Sequence, residues 1–149
     1  MNSHPCGSLE DHAHVFFLRV YFSDTDAGGV VYHSRYLDMA EHARTECLHL
    51  LGISHQEYLE KYRTCFVVRS ARIEYLKPAL LDQTLKIRTQ AKKLGRFAME
   101  LVQEIFHEGE LLATADIKLG YICLTDGRPS PLPETWRTLL SDLVIPPSP

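Results

Sequence analysis

One helix-length segment followed by four strand-length segments most limits how this chain can fold. Residues 34–51 carry apolar side chains at helical spacing and end before Gly52, a residue type that often follows a helix. The strand-like segments come next, at 66–76, 84–92, 97–106 and 111–124. Short turns that contain Gly, Pro or Asp separate them, and successive strands joined in this way predict an antiparallel meander. One sheet wrapped around one long helix is the simplest arrangement that buries both patterns.

The helical segment has an apolar stripe and a charged face. Its stripe consists of Tyr36, Ala40, Ala43, Cys47 and Leu50, and its opposite face carries Asp38, Glu41, Arg44 and Glu46. We therefore expect the stripe to pack on the sheet and the charges to face solvent.

Shorter elements flank this unit. Residues 15–22 alternate as a strand whose wholly apolar face is Phe16, Leu18, Val20 and Phe22. A short helix is predicted at 55–61, capped by Ser54, and another at 133–143. The prediction is an α+β fold with about five strands. It comprises a flexible N-terminal arm at 1–12, one domain at 13–143 and a disordered tail at 144–149.

Composition excludes several classes of protein. The chain has 149 residues, 45% of them hydrophobic, which suits one domain with a real core. A net charge of -3 without a basic cluster argues against nucleic-acid binding, and no apolar run is long enough for membrane insertion. The four cysteines form no C-x-x-C pair, and the first residues lack the apolar core of a signal peptide. We expect a cytoplasmic protein with neither disulfides nor zinc.

One side of the predicted helix carries residue types that can bind a metal. His42, Glu46 and His49 lie at spacings of four and three, which would place them on one side of the helix. The charged face of an amphipathic helix produces the same pattern, and H-E-x-x-H is absent. The prediction is therefore no metal and no cofactor.

The junction at 24–33 carries the most chemical information. Asp24, Asp26, Gly28 and Gly29 lie between a strand and a helix start, where a carboxylate can sit opposite unpaired N–H groups. A reaction that attacks a carbonyl and builds an oxyanion needs both parts. The structural alternative for Asp26 is an Asx turn or a helix cap, and the alternative for the glycines is an ordinary turn.

These residues are similar to those of a known family. The segment 21–36, with Glu41 to Glu46 on the helix, resembles the hot-dog-fold acyl-CoA thioesterases. It looks most like the Tol-Pal-associated branch, which is related to 4-hydroxybenzoyl-CoA thioesterase. The resemblance spans roughly residues 14–130 and is strongest over 19–46. It implies that Asp26 is the catalytic carboxylate and that the backbone N–H near His33 is the oxyanion donor.

The resemblance also bears on the substrate. The 4-hydroxybenzoyl branch has a tyrosine where this chain has His33, which favours small aliphatic acyl groups over aromatic ones. Basic residues around one turn contact the nucleotide part of coenzyme A in that branch, and Arg96 is the nearest match here. Lys92 and Lys93 lie at the same turn, so Lys93 and Arg96 are the predicted contacts, and a solvated turn is the structural alternative. Gly28, Gly29, Val30 and Tyr32 are predicted to line the substrate pocket.

The predicted function is hydrolysis of acyl-CoA to free acid and CoA by a homo-oligomer, a dimer or a tetramer, with sites between subunits. Asp26 would act as nucleophile or as general base, two routes that the sequence leaves open. An acyl-carrier-protein thioester is the alternative substrate. A non-catalytic acyl-thioester binding module and a hydratase on the same fold are the alternative functions.

Overall fold

A computed structural model describes residues 5–147 of the chain. The ends of the predicted arm and tail, at 1–4 and 148–149, lie outside the described residues. The strands are β1 (Ser8–Glu10), β2 (Ala13–Arg19), β3 (Thr64–Tyr75), β4 (Thr84–Leu94), β5 (Ala98–His107) and β6 (Glu110–Cys123). The helices are α1 (Arg35–Leu50), α2 (His55–Tyr62) and α3 (Glu134–Leu140), with 3-10 turns at Phe22–Asp24 and Ser141–Leu143.

The six strands form one antiparallel sheet in the order β1-β2-β4-β5-β6-β3. The predicted meander is confirmed for β4, β5 and β6. It is wrong for β3, which pairs with β6 at the far edge of the sheet. The physical reason is that β2 pairs with β4 from His14 to Arg19 and occupies the side that a meander would give to β3. Residues 76–83 make the resulting crossover.

Both flanks of the domain contain pairings that the sequence did not predict. β1 lies in the predicted arm and pairs with β2, so residues 5–147 contain six strands instead of the predicted five or so. In the predicted tail, Val144 bridges to Ala91 and the Ile145 N–H donates to the Ala91 carbonyl at 2.9 Å. The fold of these residues therefore extends beyond the predicted limits of 13 and 143.

The central helix packs on the sheet along its whole length. Its buried residues are Tyr36, Met39, Ala40, Ala43, Cys47 and Leu48. The predicted stripe is right except at its end, where Leu48 is buried and Leu50 is only half-buried. The predicted charged face is wrong at Arg44, which is half-buried and reaches down to Gln103 on β5. A long side chain can bury its stem while its charged end finds a polar partner.

The core has two parts along α1. Residues near the start of the helix contact one apolar cluster, which includes Val20, Leu85 and Ile105. The second half of the helix contacts another, which α3 completes with Trp136 and Leu140.

None of the helices within residues 5–147 combines the length and the apolar character that a membrane span needs.

The first predicted strand ends earlier than expected. Phe16 and Leu18 pack on the core and Val20 is fully buried, as predicted. Phe22 is 81% exposed because β2 stops at Arg19 and the chain turns at Phe22–Asp24.

The predicted cap of α2 is confirmed, since the Ser54 hydroxyl accepts the Glu57 N–H.

We predict that Gln103→Leu lowers the free energy of unfolding by about 2–4 kcal/mol. Gln103 is fully buried, and its amide donates to the Ala40 carbonyl at 2.9 Å and to the Thr89 hydroxyl at 3.0 Å. Its oxygen also accepts from Arg44 at 2.9 Å, so the substitution removes three hydrogen bonds made by one buried side chain. Urea denaturation measures the change. Gln56→Leu, on the exposed surface of α2, is the control and should stay within about 0.5 kcal/mol of the wild type.

Candidate active site

Asp24 fixes the loop between β2 and α1. Its carboxylate, 11% exposed, accepts the Tyr21 N–H at 2.8 Å and two N–H groups of Arg35 at 2.7 and 3.1 Å. Its carbonyl accepts the Tyr32 N–H at 2.9 Å. The hydrogen bond to Asp24 raises the pKa of Arg35. Asp24 therefore contacts both ends of the loop.

Asp26 lies at the exposed tip of the same loop. One carboxylate oxygen accepts the Gly28 N–H at 2.8 Å, and the Asp26 backbone pairs with Val30 and Gly29. This is the Asx turn that the structural alternative predicted. Among residues 5–147, the second carboxylate oxygen accepts no hydrogen bond. The turn therefore orients Asp26 while leaving one oxygen available to a ligand.

The other predicted loop residues have different environments. Gly29 has φ +82°, a backbone conformation that glycine adopts easily, and an added Cβ there would meet open space. At Gly28 an added Cβ would approach the Asp26 carboxylate at 3.2 Å. Val30 is half-buried and bridges to Leu80, while the exposed Tyr32 ring packs 4.4 Å from the His33 ring. Glycine at 28 therefore preserves the position of the Asp26 carboxylate.

Helix α1 begins with unpaired N–H groups. Its N-cap residue, Ser34, makes no side-chain capping bond. Within the described part of the chain, neither the His33 nor the Ser34 N–H has an acceptor. The Tyr32 carbonyl accepts from Arg35 at 2.9 Å, so the His33 N–H in the same trans peptide points away from the helical turn. This N–H also lies at the positive end of a 16-residue helix, where negative charge is stabilised.

An open groove lies beside the helix start. It has a volume of about 280 Å³ and is lined by Val31, His33, Tyr36, Tyr75, Leu76, Lys77 and Pro78. The Tyr75 hydroxyl donates to the His33 carbonyl at 2.8 Å, and the Tyr36 hydroxyl accepts the Ala79 N–H at 3.1 Å. Burial raises the pKa of Tyr36. These two bonds fasten β3 and the crossover to the start of α1, so the groove has fixed walls.

A second, basic groove lies at the β4–β5 turn. It has a volume of about 530 Å³ and includes both predicted residues, Lys93 and Arg96, together with Arg69 and Lys118. The Arg96 guanidinium lies 5.1 Å from the centre of the Phe97 ring, and Lys118 pairs with Glu100 at 3.4 Å. In residues 5–147, Lys93, Arg96 and Arg69 make no ion pair with a carboxylate. The groove therefore keeps positive charge for an anionic ligand.

The predicted site residues fall into two groups in one protomer. Residues lining the groove at His33 and those lining the basic groove do not overlap, and Asp26 lines neither. Strand β3 reaches both grooves through Tyr75 and Arg69, which are about 20 Å apart along the strand. A single protomer therefore does not join the carboxylate to the basic groove.

Sequence reasoning missed Tyr75 and Arg69. Tyr75 lies in the strand predicted at 66–76, and a position in a strand gives no sign that its hydroxyl reaches His33. Arg69 lies at a break in the β3–β6 register between Val68 and Ser70. Gly120 on β6 accommodates it, because an added Cβ there would come within 2.9 Å of the Arg69 side chain. A glycine inside a predicted strand was the available signal for this close approach.

The arrangement suits attack on a carbonyl. A carboxylate with one unengaged oxygen and a helix start with outward N–H groups belong to the same ten-residue loop, 24–33. The Asp26 carboxylate can attack a carbonyl carbon or activate water, and the N–H groups at the start of α1 can stabilise the oxyanion that forms. Across residues 5–147, no group of three or more His, Cys, Asp or Glu side chains is placed to hold a metal ion.

We predict that Asp24→Asn lowers the melting temperature by about 4 °C or more, because it weakens three hydrogen bonds that a charged acceptor makes at the end of β2 and the start of α1. Differential scanning calorimetry measures the change. Asp38→Asn is the matched control, since Asp38 pairs with the same Arg35 at 3.1 Å but is 53% exposed. Equal shifts for the two variants would show that Asp24 does not fix the loop.

Comparisons with known proteins identify the family of this chain. The family model of the thioesterase-like superfamily matches residues 20–140. The chain is 36% identical to acyl-CoA thioesterase YbgC of Haemophilus influenzae over 133 residues, 89% of this chain and 98% of that protein.

Solved structures give the same result. A probable thioesterase from Bartonella henselae has a TM-score of 0.77 and 35% identity, covering 81% of this chain and 99% of that one. A 1,4-dihydroxy-2-naphthoyl-CoA thioesterase from Synechocystis has a TM-score of 0.82 and 26% identity, with 90% and 99% covered. The predicted α+β class and hot-dog fold are confirmed, and the chain belongs to the thioesterase-like superfamily.

Proposed function

We propose that this protein hydrolyses acyl-CoA thioesters to the free acid and CoA, with the active site at the start of α1. The observation that carries the proposal is the His33 N–H, which points away from the helical turn, has no acceptor among residues 5–147 and belongs to the same loop as Asp26. The relative from Haemophilus influenzae is named an acyl-CoA thioesterase, which supports the same chemistry.

Asp26 is the reacting carboxylate in the proposed mechanism. In one route its unengaged oxygen attacks the thioester carbon, the C–S bond breaks, and CoA leaves as a thiolate. Water then hydrolyses the mixed anhydride and regenerates the carboxylate. In the other route Asp26 takes a proton from water, and the hydroxide attacks the same carbon. The C–S bond then breaks, and the proton passes from Asp26 to the departing CoA thiolate, which restores the carboxylate. In both, the His33 N–H holds the negative oxygen of the tetrahedral intermediate.

The proposed acyl group is short and aliphatic, and within the family we place this protein in the Tol-Pal-associated branch. His33 supports both proposals, because the 4-hydroxybenzoyl branch, which acts on an aromatic acyl group, carries a tyrosine at this position. Tyr36 and Tyr75 both line the groove, and their ring centroids are 5.2 Å apart in an edge-to-face arrangement. CoA is the proposed carrier, and an acyl-carrier-protein thioester is the substrate to compare with it.

The basic groove is the proposed site for the phosphates of CoA. Arg96 and Lys93 were expected there, and Arg69 adds a third cation without a carboxylate partner among the described residues. Arginine binds phosphate with two parallel hydrogen bonds, which favours Arg69 and Arg96 as the main contacts.

We propose a homo-oligomer whose active sites lie between subunits. Strand β3 is a 12-residue edge strand, and Val68 and Tyr75 on it are about half exposed, so a second copy can pair with it. Such pairing would let Asp26 of one subunit share a substrate with the basic groove of the next. This arrangement accounts for the separation of the two groups within one protomer.

Asp26→Asn is predicted to lower kcat for thiol release by at least about 100-fold while leaving the fold intact, because the amide neither attacks carbon nor accepts the proton. The measurement is thiol release from a panel of short aliphatic, long aliphatic and aromatic acyl-CoAs, and from an acyl-carrier-protein thioester. Asp38→Asn, an exposed carboxylate in the first turn of α1, is the control and should retain wild-type kcat.

Near-wild-type turnover by Asp26→Asn would remove Asp26 from the mechanism. A folded wild-type protein that binds acyl-CoA but releases no thiol from any substrate would instead identify a binding module. A preference for aromatic acyl groups would contradict the proposed short aliphatic substrate.

Arg96→Glu and Arg69→Glu are predicted to raise KM for acyl-CoA about 10-fold or more with little change in kcat, since they weaken binding of phosphates far from the reacting carbon. Mixing unfolded Asp26→Asn and Arg96→Glu subunits and refolding them together should restore about a quarter of wild-type activity at low substrate. Half of the dimers would then be mixed, and each would hold one intact site.

Lys61→Glu, an exposed charge on α2 outside the groove, is the control for KM. Failure of the mixture to regain activity, when mass spectrometry shows that mixed oligomers have formed, would place both groups of residues in one subunit.

A further inference from the structure

A cavity of about 130 Å³ lies between the second half of α1, the sheet and the C-terminal helical turns. Its interior is apolar, with Leu48, Met99, Leu101, Leu119, Leu140 and Leu143 among its lining residues, all buried. Exposed residues Glu41, His55 and Val68 form its rim. None of its lining residues lines the groove at His33. The proposed active site therefore does not use this cavity.

Arg44 enters the wall of this cavity as a half-buried cation. Its one hydrogen-bond acceptor in the described structure is the Gln103 oxygen, although a guanidinium has five N–H donors. Gln103 is a neutral amide whose own donors are used by Ala40 and Thr89, so it cannot balance the charge.

Glu41 is the acid whose charge acts on Arg44, but the two side chains form no ion pair within residues 5–147. Glu41 is exposed at the rim, and its carboxylate accepts the Thr45 hydroxyl at 2.6 Å. Burial lowers the pKa of Arg44 despite this nearby negative charge. A buried charge without a paired anion is costly, so the site favours an anionic ligand.

We propose that this cavity binds a short aliphatic carboxylate, with the carboxylate on Arg44 and the hydrocarbon tail among the leucines. An enclosed apolar cavity of about 150 Å³ accommodates benzene, so this one suits a tail of about five or six carbons. A carboxylate matches the geometry of guanidinium donors, whereas an alcohol or a thioester carbonyl brings no charge.

The proposed carboxylate site is separate from the proposed active site. Arg44 follows His33 by eleven residues, a rise of about 16 Å along the helix. Binding there does not require the protein to be a thioesterase. If the proposed function holds, however, the ligand has the chemistry of the acid product, and the site would sense that product.

The test is methyl NMR of the wild-type protein titrated with hexanoate and, separately, with hexan-1-ol, which has the same tail without the charge. Hexanoate should shift the methyl signals of Leu48, Leu101 and Leu119 and leave that of Val31 in the active-site groove unchanged. Its Kd should be at least about 10-fold lower than that of hexan-1-ol, because a charge-assisted bond to Arg44 adds to the burial of the tail.

Two variants test the two ends of the ligand. Arg44→Gln should weaken hexanoate about 10-fold or more and leave hexan-1-ol unchanged. Leu119→Phe should fill the cavity and abolish binding of both ligands while retaining Arg44. Circular dichroism checks that each variant folds. If Arg44→Gln does not fold, the relative affinities of the wild-type protein for hexanoate and hexan-1-ol, together with the result for Leu119→Phe, test the proposal.

The proposal would be overturned if hexanoate shifted only signals at the groove near His33. Equal affinity for hexanoate and hexan-1-ol, or unchanged hexanoate binding by folded Arg44→Gln or Leu119→Phe, would overturn it as well.

Discussion

The contacts of Asp24 determine the geometry of the loop between β2 and α1, on which the candidate active site depends. One nearly buried carboxylate accepts from the end of β2 and from Arg35 at the start of α1, while its own carbonyl accepts from Tyr32. The loop between these points is therefore closed at its base. Asp26 is held at the tip of this loop, and the first N–H groups of the helix are held at its end. The hydrogen bonds of Asp24 involve neither the Asp26 carboxylate nor the His33 N–H.

The same principle operates beneath the helix. The side chain of Gln103 joins the Ala40 carbonyl, Thr89 and Arg44, so α1 is tied to β4 and β5 by directional bonds as well as by apolar packing. Such bonds fix the position of the helix along the sheet more tightly than apolar contacts alone. They also leave Arg44 with unused donors beside an apolar cavity, which is why a structural network and a ligand site can involve the same residue.

Much of the fold could be predicted from the sequence, because its strongest signals are local. The apolar stripe predicts that α1 is a helix, and alternation predicts that β4 to β6 are strands. The short turns between these strands predict that each pairs with the next. The place of β3 could not be predicted in the same way. It depends on which strand β2 pairs with, a long-range choice that no turn encodes. Strand β1 was missed because three residues are too few to show a period.

The candidate site shows the same division. The loop residues Asp26, Gly28, Gly29 and His33 lie within eight positions of one another, so their spacing and their resemblance to a family make them candidates from the sequence alone. Tyr75 and Arg69 belong to the site only through the pairing of β3 with β6, which brings distant segments together. Arg44 was assigned to the solvent face by its charge, since helical spacing alone does not reveal that Gln103 lies below it.

The most direct test of the central claim is a crystal structure with a short-chain acyl-CoA analogue in which a methylene group replaces the thioester sulfur. That analogue keeps the carbonyl but cannot be hydrolysed. The account predicts that the carbonyl oxygen lies within about 3.2 Å of the His33 backbone nitrogen, with the Asp26 carboxylate facing the carbonyl carbon. A carbonyl bound by other donors, with Asp26 turned away from it, would contradict the account.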